Sequence, residues 1–131
     1  METYELEEKV RAALVGNEDL MNVLPLGEKS IYHRVAPAVD PARYPILVYS
    51  PISDVPILAG DDIEIAHRVT IRIHVIVSHK RYAVDEFNFL TACKLVKSIM
   101  ADLGFSRRQT TPFVDDGEVL GVFDFVKGVA Y

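Results

Sequence analysis

The chain of 131 residues has one cysteine, no tryptophan, and no apolar run approaching the roughly eighteen residues a membrane-spanning helix needs. Cys93 alone excludes an intrachain disulfide and leaves nothing that marks an oxidising compartment. Basic charge is also short, with 14 Lys and Arg against 19 Asp and Glu and a net charge of −5. That balance disfavours a broad phosphate-binding surface and argues against sequence-specific nucleic-acid binding. The doublets Lys80-Arg81 and Arg107-Arg108 read as solvated turns. The first eight residues, Met1 to Glu8, are acidic where a secretory signal or presequence would be basic, so neither export by such a signal nor a membrane partner is expected. Glycine-rich phosphate loops are missing, as are nucleophile-elbow glycines around Ser30 and Ser50, which leaves nucleotide and nucleophilic chemistry without support.

What is present is β-alternation. From Ile63 to Ser78, Ile63, Ile65, Val69, Ile71, Ile73, Val75 and Val77 occupy odd positions, and mostly polar residues occupy even ones. Period two is the pattern of a half-buried strand. At roughly 3.3 Å per residue such a strand reaches about 50 Å if straight, whereas a domain of this length has a radius of gyration of about 14 Å. Either a bulge folds it back, or one end projects as an arm whose apolar face needs cover from another molecule.

The remaining elements follow from local signals. Leu6, Val10, Ala13 and Leu14 predict a short amphipathic helix stopped at Gly16, with Glu5/Lys9 and Glu7/Arg11 as i,i+4 pairs on its outer face. Asn17 caps a following turn through Leu20. Ile31 to Val35 is a short strand closed by Pro37 and Pro41. Tyr44 to Ser50, apolar on both faces, is a central strand. Pro51 and Pro56 lack amide donors and place their segment at an edge, bulge or loop. Tyr44 to Ser78 therefore reads as one hairpin with its tip around Ile57 to Ile63. A helix over 83–103 follows, ended by Gly104, with Phe89, Ala92, Cys93, Val96, Ile99, Met100 and Leu103 as core stripe and Phe87, Leu90 and Leu95 widening it. Two strands, about 105–114 and 119–126, flank an Asp-Gly turn. The expected fold is one α+β domain, α-β-β-β-α-β-β, with two helices packed on one face of a mainly antiparallel sheet and a long protruding β-hairpin.

His67, His74 and His79 crowd the middle of the chain, yet His67 and His74 differ by an odd number and face opposite ways, and His79 lies too far along the strand to meet His67 on one ion. No metal site and no cofactor are expected. Cys93 belongs to a helix core, and Asp61-Asp62 and Asp115-Asp116 suit tight turns. More informative are apolar residues without an evident partner inside the chain. These are Pro56 to Ala59 at the hairpin tip, and Phe123, Phe125, Val126, Val129 and Tyr131 near the C-terminus. His67, the polar residue on the strand's apolar side, marks where that face leaves the core or meets a neighbouring subunit.

Several segments resemble the tail completion, or head-tail joining, proteins of long-tailed bacteriophages. They are the leading helix with Arg11-Ala12-Ala13-Leu14-Val15, the small turn at Leu20, the strand Ile31-Tyr32-His33-Arg34-Val35-Ala36-Pro37, and Tyr44-Pro45-Ile46-Leu47-Val48-Tyr49. The long strand, helix and two closing strands follow in that family's order, while Ser53 to Ile65 aligns with no family motif. The resemblance implies a virion protein made in the bacterial host cytoplasm, without catalytic residues, forming a ring, usually a hexamer, between the head connector and the tail tube. A tail terminator or other minor tail protein is the alternative within that biology, and a small dimeric α+β ligand-binding domain or enzyme is the alternative outside it. Subunit contacts are expected along the hairpin from about Tyr49 to Thr70, at Ile57, Leu58, Ile63, Ile65 and His67.

Overall fold

The computed structural model describes residues 1–35, 43–60, 63–115 and 117–131, and among them the side chains of 58–60, 64, 109 and 111–115 are not described. Pro37, Pro41, Asp61, Asp62 and Asp116 therefore lie outside the described residues. The elements are helices α1 (Thr3–Val15) and α2 (Glu18–Val23), strands β1 (Ile31–His33), β2 (Ile46–Gly60) and β3 (Ile63–Ser78), helix α3 (Tyr82–Asp102), and strands β4 (Ser106–Asp115) and β5 (Glu118–Ala130). The five strands form one sheet in the order β1-β2-β3-β5-β4, antiparallel except for the parallel pair β1 and β2. The class is α+β, as the pattern of elements predicts.

Local chemistry sets the boundaries. Gly16 follows the last turn of α1, its amide donating to the Ala12 carbonyl at 2.8 Å, and a Cβ there would meet that same oxygen at 2.9 Å. Asn17 caps α2, its Oδ1 accepting from the Leu20 amide at 2.8 Å. Helix α3 closes with Gly104 at φ +89°, where the Gly104 amide donates to the Ala101 carbonyl and the Phe105 amide to that of Met100, each at 3.0 Å. This paired arrangement uses a glycine because the turn residue is left-handed.

One face of the sheet carries the helices. Val69, Ile71, Ile73, Val75 and Val77 of β3 are all fully covered there, together with Leu47, Tyr49, Phe123 and Phe125 of the neighbouring strands. Leu6, Val10 and Leu14 of α1 and Phe89, Val96 and Met100 of α3 close over them. Lys97 of α3 sets its ammonium 5.8 Å from the Phe123 ring centroid. The C-terminal aromatics Phe123 and Phe125 thus pack on the chain's own core rather than waiting for a partner.

Two packing expectations are corrected. Glu7 is buried and does not pair with Arg11. Its carboxylate takes the His33 Nε2 at 2.9 Å and the Arg34 guanidinium at 3.5 Å, and Arg11 donates to the Ile31 carbonyl at 3.4 Å, because β1 docks beside α1. Phe87 and Leu90 do not widen the core stripe of α3 but project outward.

Candidate assembly surface

The arm is the distal part of the β2–β3 hairpin. The strands stay paired to Gly60↔Ile63, with register shifts at Pro51/Ser53, Pro56/Leu58 and Leu58/Ala59. The first two add Ile52 and Ile57 to β2 directly after Pro51 and Pro56, where a missing amide makes an extra residue easiest to accommodate, and the third adds Ile65 to β3. β1 covers the outer edge of β2 only at Leu47 to Tyr49, so among the described residues the edge from Ser50 to Gly60 has no strand partner. On the other side β5 runs along β3 as far as Ala66↔Ala130, and the Tyr131 amide reaches the Ile65 carbonyl at 3.2 Å. The free arm is consequently shorter than the expected 49–70. Tyr49, Val69 and Thr70 are buried, and the uncovered apolar residues begin at Ile52.

Of the five expected contact residues, three present apolar side chains at the surface: Ile63 is 64 % exposed, and Ile57 and Ile65 are close to half exposed. Their orientations differ. On β3, Ile65 is the extra residue between the pairs Leu58↔Ala66 and Ala59↔Glu64, so the alternation that places Val69 to Val77 under the helices is interrupted before Ile63. Ile57 lies on the face away from the helices, with its Cδ1 3.5 Å from where a Gly128 side chain would begin, and Val55, paired with Arg68, shares that side. Leu58 pairs through its backbone with Ala66, and its side chain is not among those described.

His67 corrects an expectation. It is wholly buried by its own chain and offers no ring surface to a neighbour, because the N-terminal segment closes over it. Its Nδ1 stands 2.6 Å from the Asp54 Oδ1 and its Nε2 2.8 Å from the Met1 carbonyl oxygen, and its ring stacks on Tyr131 at 4.3 Å between centroids. The Thr3 hydroxyl donates to the other Asp54 oxygen at 2.5 Å. That bond first, and then the His67 contact, hold Asp54 below the usual carboxylate range.

The far side of the sheet is polar at its centre. Arg72 grips Asp124 through two bonds, 2.8 and 3.1 Å, which raise its pKa. His74 beside them is pushed down, mainly by burial and then by Arg72, and it faces away from His67 as strand parity predicts. Among the described residues no group of three His, Cys, Asp or Glu comes together to hold a metal. An open cleft of about 330 Å³ is lined by Arg68, Ser106, Arg108 and Val126. Burial raises the Cys93 thiol to about 11, which removes it as a nucleophile near neutrality. Tyr44, also buried and donating to Glu118 at 2.7 Å, is raised to about 12.

A second apolar surface escaped the sequence reading. Val84, Phe87 and Leu90 recur every third residue on the outer side of α3, and Phe87 is 76 % exposed. The signal was in the sequence, but α3 is apolar over so much of its circumference that the outward stripe merges with the core stripe. No described helix is long and apolar enough to cross a membrane.

Fold and surface together define a class: a small α+β domain with a closed core, an apolar β-arm at one end of its longest strand and an apolar helix face near the other. The chain matches no protein-family model, and no curated protein matches it either.

Proposed function

We propose that this is a non-enzymatic structural protein of a phage or prophage tail, which assembles with copies of itself into a ring of six subunits that joins the tail tube to the head connector in the virion. The observation that carries the reading is the uncovered apolar arm at Ile57, Ile63 and Ile65. The family resemblance supplies the biological setting. A ring needs a heterologous contact, in which one patch of each copy meets a different patch of the next. The arm and the Val84–Phe87–Leu90 face suit such a pair, since the arm lies at the Ile63 end of β3 and α3 begins just past the Ser78 end. An apolar arm laid on the next subunit extends the sheet surface without enlarging the monomer.

The test mixes the purified chain with purified tail tube and head connector and follows complex formation by sedimentation and electron microscopy. Ring-shaped particles that bridge the two components are expected, and Phe87→Asp should abolish them while the monomer stays folded. A discrete dimer indifferent to both partners would overturn the assignment in favour of a small dimeric ligand-binding domain.

A further inference from the structure

We propose that His67 is held as an imidazolium that fastens the N-terminal segment to the root of the arm, and that loss of its proton releases that segment. The inference stands apart from the role in a virion and rests on the acceptors that face the ring. The Met1 carbonyl, 2.8 Å from Nε2, can only accept a hydrogen bond. Asp54, 2.6 Å from Nδ1, can only accept when ionised, and its own surroundings favour the ionised form. Both ring nitrogens must therefore donate, which only the doubly protonated ring does. A neutral ring would aim a lone pair at one of two oxygens, and the ring itself has no solvent access through which water could relieve that contact.

Each element around the ring contributes a fixed piece. From β2 comes the Asp54 carboxylate, which balances the positive charge. From the N-terminal segment come the Met1 carbonyl and the Thr3 hydroxyl, while the Met1 ammonium is turned onto the Ala130 carbonyl of β5 at 2.6 Å. Beyond β5 the Tyr131 ring stacks at 11° to the imidazole plane. Arg68, next on β3, projects to the opposite face and lines the open cleft there. Among the described residues, three chain segments therefore meet the ring that β3 presents at the root of the apolar arm.

The two bonds are not equal. The bond to Asp54 joins opposite charges and is the stronger, so the proton that remains after deprotonation stays on Nδ1. Nε2 then faces the Met1 carbonyl without a hydrogen, and that contact fails. The N-terminal segment separates from the arm root while the β2–β3 pairing persists.

The experiment is nitrogen NMR of the His67 ring from pH 5 to pH 9, with amide hydrogen exchange of residues 3–6 read across the same range after correction for the intrinsic rate. Two protonated ring nitrogens are expected at the acid end, followed by loss of the Nε2 proton, with at least a fivefold rise in corrected exchange at residues 3–6 over the same transition. In Asp54→Asn the midpoint should move at least one pH unit lower, about a tenfold loss of proton affinity. In His67→Gln, which cannot titrate, the exchange of residues 3–6 should no longer follow that transition. A ring that carries a single proton throughout the range, or one that titrates without any change in exchange at residues 3–6, overturns the proposal.

Discussion

The two ends of β3 share one pattern and meet different fates. From Val69 to Val77 the odd positions lie under α1 and α3 and are sealed, whereas Ile63 and Ile65, which continue the same alternation in the sequence, stand at the surface beyond a bulge. Alternation specifies a strand and which side of it is apolar. What covers that side is decided by elements elsewhere in the chain, and here the helices stop short of the arm. His67 lies at the boundary and is covered because Met1 and Tyr131, from the two ends of the sequence, reach it.

Paired substitutions make this contrast measurable. Ile73→Ala removes a fully buried side chain from the sealed half and should cost about 2–5 kcal/mol in urea unfolding, while Ile63→Ala on the arm should stay within about 0.5 kcal/mol. Equal losses at both positions would mean that the arm is part of the monomer's core. Gly121→Ala comes next. A Cβ there would lie 3.1 Å from Phe123 and 3.2 Å from the Cys93 sulfur, so β5 and α3 must part slightly, at about 1–3 kcal/mol by the same measurement.

Smaller effects separate the two histidines of the strand. His74 has its pKa lowered in the folded state below the ordinary 6.5, so on acidification the unfolded chain takes up a proton that the folded chain refuses. Its contribution to stability therefore falls as pH drops below about 6.5, and the urea midpoint should decline toward pH 5 less steeply in His74→Gln than in the parent. His67, wholly buried between the Asp54 carboxylate and the Met1 carbonyl, is read instead through its ring nitrogens. The smallest expected effect is an absence of reaction: Cys93, raised to about 11 by burial, should resist iodoacetamide at pH 8 in the folded protein and react promptly in urea.

Much of the fold was legible because its signals are local. The β2–β3 hairpin, the limits of α3 with its terminal Gly104, the Asn17 cap and the turn before β5 each depend on residues within a few positions of one another. The parallel pairing of β1 with β2 and the extension of β5 to Ala130 depend on partners distant in sequence, which periodicity does not report. The candidate surface divides in the same way. Ile57, Ile63 and Ile65 were recognisable as apolar residues beside a turn. The burial of His67 was not, since its partner Met1 is 66 residues away and its partner Asp54, opposite Val69, is brought within reach by bulged pairing that no alternation count foresees. Phe87 was misread because burial on a helix apolar over most of its circumference depends on where the sheet ends.

The central claim is that the arm's apolar surface is covered by other copies of the chain. Light scattering of the parent and of the double variant Ile63→Asp, Ile65→Asp over a wide concentration range tests it most directly. The account predicts that the parent's mass climbs with concentration to a closed multiple larger than two, while the variant remains monomeric with an unchanged urea midpoint. A variant that associates as the parent does would contradict it.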